Sequence, residues 1–153
     1  MTGTELDAFL DQQRVLVCAS NGHRGWPHLM PLWYVVRDAR APGEGGELWA
    51  WTYAASQKVR NLERDPRATL TVEAGERYED LRGVMLRAEV VIERDPEFVA
   101  ALGSELYARY LGTAELPADV RAMIAKQAPK RVALRFVERS RVTWDHRKLA
   151  AVP

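Results

Sequence analysis

The run at 83–93 constrains the fold most, because apolar residues recur at every second position along it. These residues share one face of a strand, opposite Arg87, Glu89 and Glu93, and they are Val84, Leu86, Ala88, Val90 and Ile92. Such alternation is typical of a strand with one buried face. Strand patterns recur at 15–20, 28–37, 48–53, 67–73 and 131–139, with a further short strand predicted at 141–144. We therefore predict a mainly β fold, a six- to seven-stranded antiparallel barrel with flanking helices.

Four helices are predicted around this barrel from capping and breaking signals. They run from Thr4 to about Gln13, onward from the N-cap Ser56, from Asp95 to Gly112, and from Leu116 to Lys126. The glycine- and proline-containing segment at 38–46 is predicted to be a loop. No internal repeat or domain boundary interrupts the pattern. We predict one domain over residues 1–153.

Composition excludes several classes of protein. No apolar run approaches the roughly 20 residues that span a bilayer, and the start of the chain lacks a signal-peptide pattern. Cys18 is the only cysteine, so no internal disulfide forms, and a cytoplasmic location is expected. The formal net charge is +1, but nine of the 22 Lys and Arg residues lie at 121–148 against two acids. This basic segment favours an anionic ligand, and no nucleic-acid-binding motif accompanies it.

The stretch at 51–62 joins an aromatic strand to the second helix and predicts an anion site. Ser56 is the N-cap, and Lys58, Arg60 and Asn61 follow in the first two turns. Free N–H groups and the positive end of a helix dipole favour a phosphate there. The alternative is an ordinary solvated helix start beside core aromatic residues, and the spacing alone leaves both interpretations open.

The same stretch carries a resemblance to a known family. Thr52 followed by Ser56-Gln57-Lys58 resembles the Tyr-Thr then Ser-Arg-Lys signature of the split-barrel flavoproteins related to pyridoxamine 5'-phosphate oxidase. The segments at 27–28, 31–33, 58–62 and 65–67 are similar to the branch of that superfamily that uses the deazaflavin coenzyme F420. The closing run at 144–149 is also similar to this branch, and the resemblance extends from about residue 15 to residue 149.

The resemblance implies a split β-barrel, a homodimer with the cofactor site at the subunit interface, and hydride transfer between reduced F420 and a small, electron-poor conjugated acceptor. The residues that it implies for cofactor binding are His28, Pro31, Trp33, Thr52, Ser56, Gln57, Lys58, Arg60, Asn61, Trp144, His146 and Lys148. Candidate proton donors are Tyr78, His28 and His146. Neither a nucleic-acid partner nor a membrane is implied.

Two departures from the oxidase pattern keep alternatives open. Gln57 replaces an arginine beside Lys58, and the strand at 28–33 lacks the basic residues of the oxidase pattern. Both weaken the case for FMN, although an FMN-dependent oxidoreductase of the same fold stays an alternative. A non-enzymatic flavin, deazaflavin or haem binder is another, in which His28 or His146 would ligate the haem. The sequence contains no hydrolase motif and predicts no metal site.

Overall fold

The computed structural model describes residues 1–37 and 46–151, and the six strands in this part close into an antiparallel barrel. The strands are β1 (Val15–Asn21), β2 (Pro27–Arg37), β3 (Glu47–Tyr53), β4 (Arg67–Ala74), β5 (Arg82–Glu93) and β6 (Arg131–Asp145). Their order around the barrel is β1, β2, β3, β6, β5 and β4. The predicted mainly β barrel is thus confirmed. The loop predicted at 38–46 lies outside the described residues except for Gly46.

β6 merges the two strands predicted at 131–139 and 141–144 into one strand of 15 residues. Arg87 of β5 pairs with Ser140, whereas the next residue, Ala88, pairs with Glu138. Arg139 is therefore an extra residue in the ladder, a β-bulge that bends the strand without ending it. This bulge shifts the alternation of inward and outward side chains, which is why the sequence pattern suggested two strands.

Apolar side chains pack on both sides of β3. Leu48 and Ala50 belong to the cluster that fills the barrel, whereas Trp49 and Trp51 belong to a second cluster outside it. The second cluster lies between the outer face of β3 and a helix at Pro96–Leu111. The alternation of Leu48 and Ala50 with Trp49 and Trp51 thus divides the strand into an inner and an outer face. Burying both faces holds the helix against the barrel wall through aromatic contacts.

β2 pairs with its neighbour β3 over only part of its length. It pairs with β1 from Pro27 to Trp33, but its pairing with β3 begins only at Tyr34. Pro31 lies in the stretch that pairs on one side only, as expected for a residue that cannot donate to a second ladder. The first half of β2 is therefore an open edge of the barrel on the side of β3.

Four α-helices accompany the barrel in the described residues. They are α1 (Gly3–Gln12), α2 (Gln57–Arg64), α3 (Pro96–Leu111) and α4 (Ala118–Gln127). The prediction that α1 begins at Thr4 was wrong, because Thr2 and Glu5 form its capping box. Asp95 caps α3 and the left-handed Gly112 ends it, as predicted. None of the described helices has the length and apolar character needed to cross a bilayer.

Candidate functional site

A cavity of about 270 Å³ lies where β2 and β3 separate and α3 covers the gap. Its walls are Pro31, Leu32, Trp33, Trp51, Thr52, Leu106, Tyr107 and Arg131. Three of these residues, Pro31, Trp33 and Thr52, were predicted site residues. The cavity follows from the local sequence, because Pro31 opens the ladder and Leu106 anchors α3 on the tryptophans of β3. A small planar molecule, or one end of a larger one, fits a space of this size and lining.

Lys58 is buried and contacts Thr52, one residue of the cavity wall. Its ammonium group donates a hydrogen bond of 3.0 Å to the Thr52 hydroxyl, and no carboxylate pairs with it in the described part of the chain. Loss of water around the amine lowers the pKa of Lys58; the Cys18 thiol opposes this shift and the Arg131 guanidinium adds to it. A buried ammonium beside a second cation favours an anionic ligand. Cys18 is itself buried, which raises its pKa to about 11 and leaves it unsuited to nucleophilic attack.

The other predicted residues of α2 divide into two groups. Asn61 is buried and donates to the Ser20 hydroxyl at 3.1 Å, while its carbonyl oxygen accepts from Gln57 at 2.9 Å. This chain of bonds fastens α2 to β1 and fixes the first turn of the helix. Arg60 is exposed, and its side chain makes no hydrogen bond or ion pair within residues 1–37 and 46–151. The network positions the helix, and Arg60 is available to a ligand.

Two buried polar atoms near the start of α2 and on β2 have no partner among the described residues. They are the hydroxyl oxygen of Ser56 and Nδ1 of His28. Ser56 occupies the N-cap position, but the prediction that its hydroxyl caps the helix was wrong, because that oxygen accepts no first-turn N–H. Buried polar atoms are normally satisfied, so orphaned ones at a helix start are consistent with a ligand. A phosphate oxygen would satisfy the Ser56 hydroxyl.

Aromatic rings dominate the cavity wall. Trp33 stacks on Tyr110 at 3.9 Å between ring centroids and meets Tyr107 edge-on at 5.8 Å. Trp51 meets the same Tyr107 edge-on at 6.3 Å. Such mutually fixed rings present flat surfaces with little side-chain freedom to lose on binding. The wall is therefore suited to a planar conjugated ligand.

A family model described as pyridoxamine 5'-phosphate oxidase matches residues 2–143. The chain belongs to this family. A conserved hypothetical protein from Mycobacterium tuberculosis is 37% identical, with a TM-score of 0.85 over 100% of this chain and 89% of that one. No curated protein gave a significant match to the chain. Family membership confirms the predicted resemblance to the pyridoxamine 5'-phosphate oxidase superfamily.

Two more distant structures share the family's fold. One is an F420 reductase, 20% identical, with a TM-score of 0.65 over 89% of this chain and 94% of that one. The other is a haem storage protein from Vibrio cholerae, 14% identical, with a TM-score of 0.66 over 92% of both chains. At these identities the comparison establishes the fold alone.

The predicted residues at the end of the chain lie apart from the cavity. Nδ1 of His146 is 2.9 Å from the carbonyl oxygen of Tyr78, and the two rings are 4.7 Å apart. The Lys148 ammonium donates to both oxygens of the Glu5 carboxylate, at 2.8 and 2.7 Å. The structure thus gathers Tyr78, His146 and Lys148 beside α1. It brings two of the candidate proton donors together, and His28 lies elsewhere on β2.

Trp144 lies on β6, far along the strand from the cavity residue Arg131. It pairs with Gly83 on β5, whereas Arg131, at the other end of β6, pairs with Tyr53 on β3. Twelve residues of β6 lie between Arg131 and Trp144, so the two are about 40 Å apart along the strand. Within one chain the Trp144 side chain therefore does not cover the cavity.

Five wall residues were not among the predicted site residues: Leu32, Trp51, Leu106, Tyr107 and Arg131. The usable signal was that Trp51 and Tyr53 share a face and that a neighbouring strand supplies a cation to that face. The neighbouring strand can be identified only if the pairing of β3 with β6 is known, and the sequence pattern does not predict that pairing.

Proposed function

We propose that the protein is an oxidoreductase that uses F420 to transfer hydride to a small, electron-poor conjugated acceptor. The observation that carries this proposal is the buried Lys58 ammonium, which bonds to Thr52 of the aromatic cavity and pairs with no carboxylate among the described residues. Family membership and the fold shared with an F420 reductase support it. When bound, the deazaflavin ring donates or accepts the hydride, so the protein need only bind and orient the reactants.

The residues of this chain supply binding and orientation. Lys58, Ser56 and Arg60 hold the phosphate end of the cofactor at the start of α2, where one charge is buried and one exposed. Thr52 fixes the Lys58 ammonium, and the half of β2 from His28 to Trp33 lies beside the ring. The aromatic wall would exclude water from the acceptor, which would lie between that wall and the cofactor ring. His28 is the candidate proton donor that this chain itself places on β2.

The preference for F420 over FMN follows from Gln57, which stands where the oxidase pattern has an arginine beside Lys58. Gln57 is uncharged and bonds to Asn61, so an FMN phosphate would lack the cation that the oxidase pattern supplies at that position. The longer anionic tail of F420 could also reach Arg60 and the basic segment at 121–148. FMN is the alternative cofactor, and direct competition between the two decides between them.

We also propose that two copies form a homodimer and share each site. A row of outward residues crosses five strands in register: Pro31, Val17, Thr71, Met85 and Val142. Val142 is 58% exposed, and Leu29 and Val15 on the same face are 58% and 44% exposed. Pairing these faces would bury apolar surface and could bring the partner's C-terminal segment, with Trp144, His146 and Lys148, over the cavity.

The dimer has its own test. Sedimentation of the wild type should give a dimer, and Val142→Glu should dissociate it. If the monomeric variant binds cofactor as tightly as the wild type, then the partner contributes nothing to the site, and the shared-site proposal fails.

The test of the activity is turnover of reduced F420. The purified protein should oxidise it with one or more members of a panel of conjugated carbonyl, enone and quinone acceptors, as followed by the return of its absorbance. Tight binding without turnover of any acceptor would instead identify a carrier. A Soret band on haem addition that is lost in His28→Ala or His146→Ala would favour the haem-binding alternative.

A further inference from the structure

Arg131 lies between two aromatic rings at the edge of the cavity. Its guanidinium carbon is 4.4 Å from the Trp51 ring centroid and 3.7 Å from that of Tyr53. The strand register creates this arrangement, since Arg131 is directly opposite Tyr53 and diagonal to Trp51 on the outer face of the sheet. Stacking on rings holds the guanidinium plane and leaves its N–H edge for a ligand in that plane.

Arg135 lies on the same strand and the same face as Arg131, but its positive charge is paired with a carboxylate. Arg135 lies over the Trp49 ring at 5.9 Å and donates to both oxygens of the Glu47 carboxylate, at 2.7 and 2.6 Å. Arg131, in contrast, donates to an uncharged group, the side-chain oxygen of Gln127, at 2.6 Å. No carboxylate pairs with Arg131 in the part of the chain that the structure describes. The charge of Arg131 is therefore uncompensated.

Hydrogen-bond donors without partners accompany this charge. Nε of Arg131 and Nε1 of Trp51 are both buried and unbonded among the described residues, and both residues line the cavity. Trp51 is only 8% exposed, so bulk water does not readily satisfy its indole N–H. Arg131 is also the one charged residue among the described residues of the cavity wall. A cation with spare donors and no acid calls for an acceptor-rich anion.

We propose that Arg131 binds the carboxylate of a planar, conjugated acceptor in the cavity formed by β2, β3 and α3. The flat rings of Trp33, Trp51 and Tyr107 receive the conjugated part, and the guanidinium edge receives the carboxylate. The substrates of the proposed oxidoreductase would then be unsaturated or aromatic carboxylic acids. This assignment of a substrate class rests on the proposed function. Arg131 is then a specificity-determining residue that separates acids from their neutral analogues.

Calorimetric titration of the full-length protein with cinnamate and with cinnamamide tests the proposal without requiring turnover. The two probes share one planar skeleton and differ in charge. The wild type should bind cinnamate roughly 10- to 100-fold more tightly, on the scale of one charge-assisted hydrogen bond. Arg131→Gln should remove that preference, and Arg131→Lys should retain only part of it because an ammonium lacks the planar edge.

Arg135→Gln is the matched control, since it removes an arginine from the same strand face but outside the cavity wall. It should leave the cinnamate preference unchanged. Thermal melts of all three variants establish that each is folded at the temperature of titration. Equal affinity for the two probes, or binding of neither, in folded wild-type protein would overturn the proposal.

Titration with F420 separates this inference from the function on which it rests. If F420 binds but cinnamate does not, then the acid-binding cavity is wrong and the cofactor proposal stands. If Arg131→Gln weakens F420 binding and leaves cinnamate binding intact, then Arg131 belongs to the cofactor site and the inference fails. Selective binding of cinnamate without binding of F420 or FMN would support the carboxylate site and contradict the proposed oxidoreductase function.

Discussion

Replacing Lys58 with methionine should weaken cofactor binding and leave the apoprotein at least as stable as the wild type. Lys58 is 7% exposed and makes one side-chain hydrogen bond, to Thr52. A phosphate held by this ammonium would lose a charge-assisted bond, which costs about 1–3 kcal/mol, or roughly 5- to 150-fold in Kd. The two effects have opposite signs because a residue kept for binding need not stabilise the fold.

The expected stability follows from the direction of the pKa shift. Burial lowers the pKa of Lys58 below its ordinary value of 10.5, so the unfolded chain binds its proton more strongly than the native protein. Wild-type stability should therefore rise as pH increases from the folded pKa towards 10.5. Methionine fills a similar volume without the desolvated charge, and this offsets the lost bond to Thr52. The pH dependence that belongs to Lys58 should disappear in the variant.

Fluorescence titration with F420 and thermal melts of the apoprotein measure the two effects separately. Arg24→Met is the control, because it also removes one positive charge, from an exposed position in the turn between β1 and β2 that lies outside the basic segment at 121–148. For a chain of this size, about 1 kcal/mol corresponds to roughly 2–4 °C in Tm. A variant that melts well below the wild type and binds F420 equally well would refute the assignment of Lys58 to the site.

Three further changes test the fold around the site. Arg147 lowers the pKa of Asp145 to about 2, so this carboxylate stabilises the fold above its ordinary pKa near 3.8 and ceases to do so as pH falls through 2. Asp145→Asn should lower the urea midpoint at about pH 6 and have little effect near pH 2. Arg109→Lys should cost about 1–3 kcal/mol in a urea titration, since the guanidinium donates to four backbone carbonyl groups and an ammonium cannot span them. Gly83→Ala would place a methyl carbon 2.4 Å from the Trp144 ring. We expect the free energy of unfolding to fall by about 1–3 kcal/mol and the tryptophan emission to shift. An unchanged melting temperature would contradict this packing.

The barrel was predictable because its strands carry their pattern locally. The run at 83–93 carries an apolar residue at every second position, and its partner strands do so over shorter runs. Helix α3 was equally predictable, because Asp95 and Pro96 signal its start and Gly112 signals its end, each acting within a few residues. Such features depend on neighbours in the chain, and they appear in the structure at nearly the predicted positions.

The remaining differences arise from contacts between distant segments. Thr2 and Thr4 each precede an acidic residue by three positions, and the chosen cap is the one next to Met1, whose amino group donates to Thr143 at 3.1 Å. The bulge at Arg139 depends on the register between β5 and β6. Neither contact is encoded in local spacing.

The candidate site divides in the same way. Lys58 was predicted because it follows a recognisable cap at Ser56 in a motif of the family. Arg131 and Tyr107 were missed because their role depends on pairing of β3 with β6 and on docking of α3 over the gap beside Pro31. Their function is a property of the assembled wall and not of any one segment.

The most direct test of the account is a fluorescence titration of the purified protein with F420 and, separately, with FMN. The account predicts saturable binding of F420 that is tighter than that of FMN and is weakened in Lys58→Met. Preference for FMN would move the protein to the flavin-dependent alternative. Binding of neither cofactor by folded protein would contradict the assignment of Lys58 and the neighbouring cavity to a deazaflavin site.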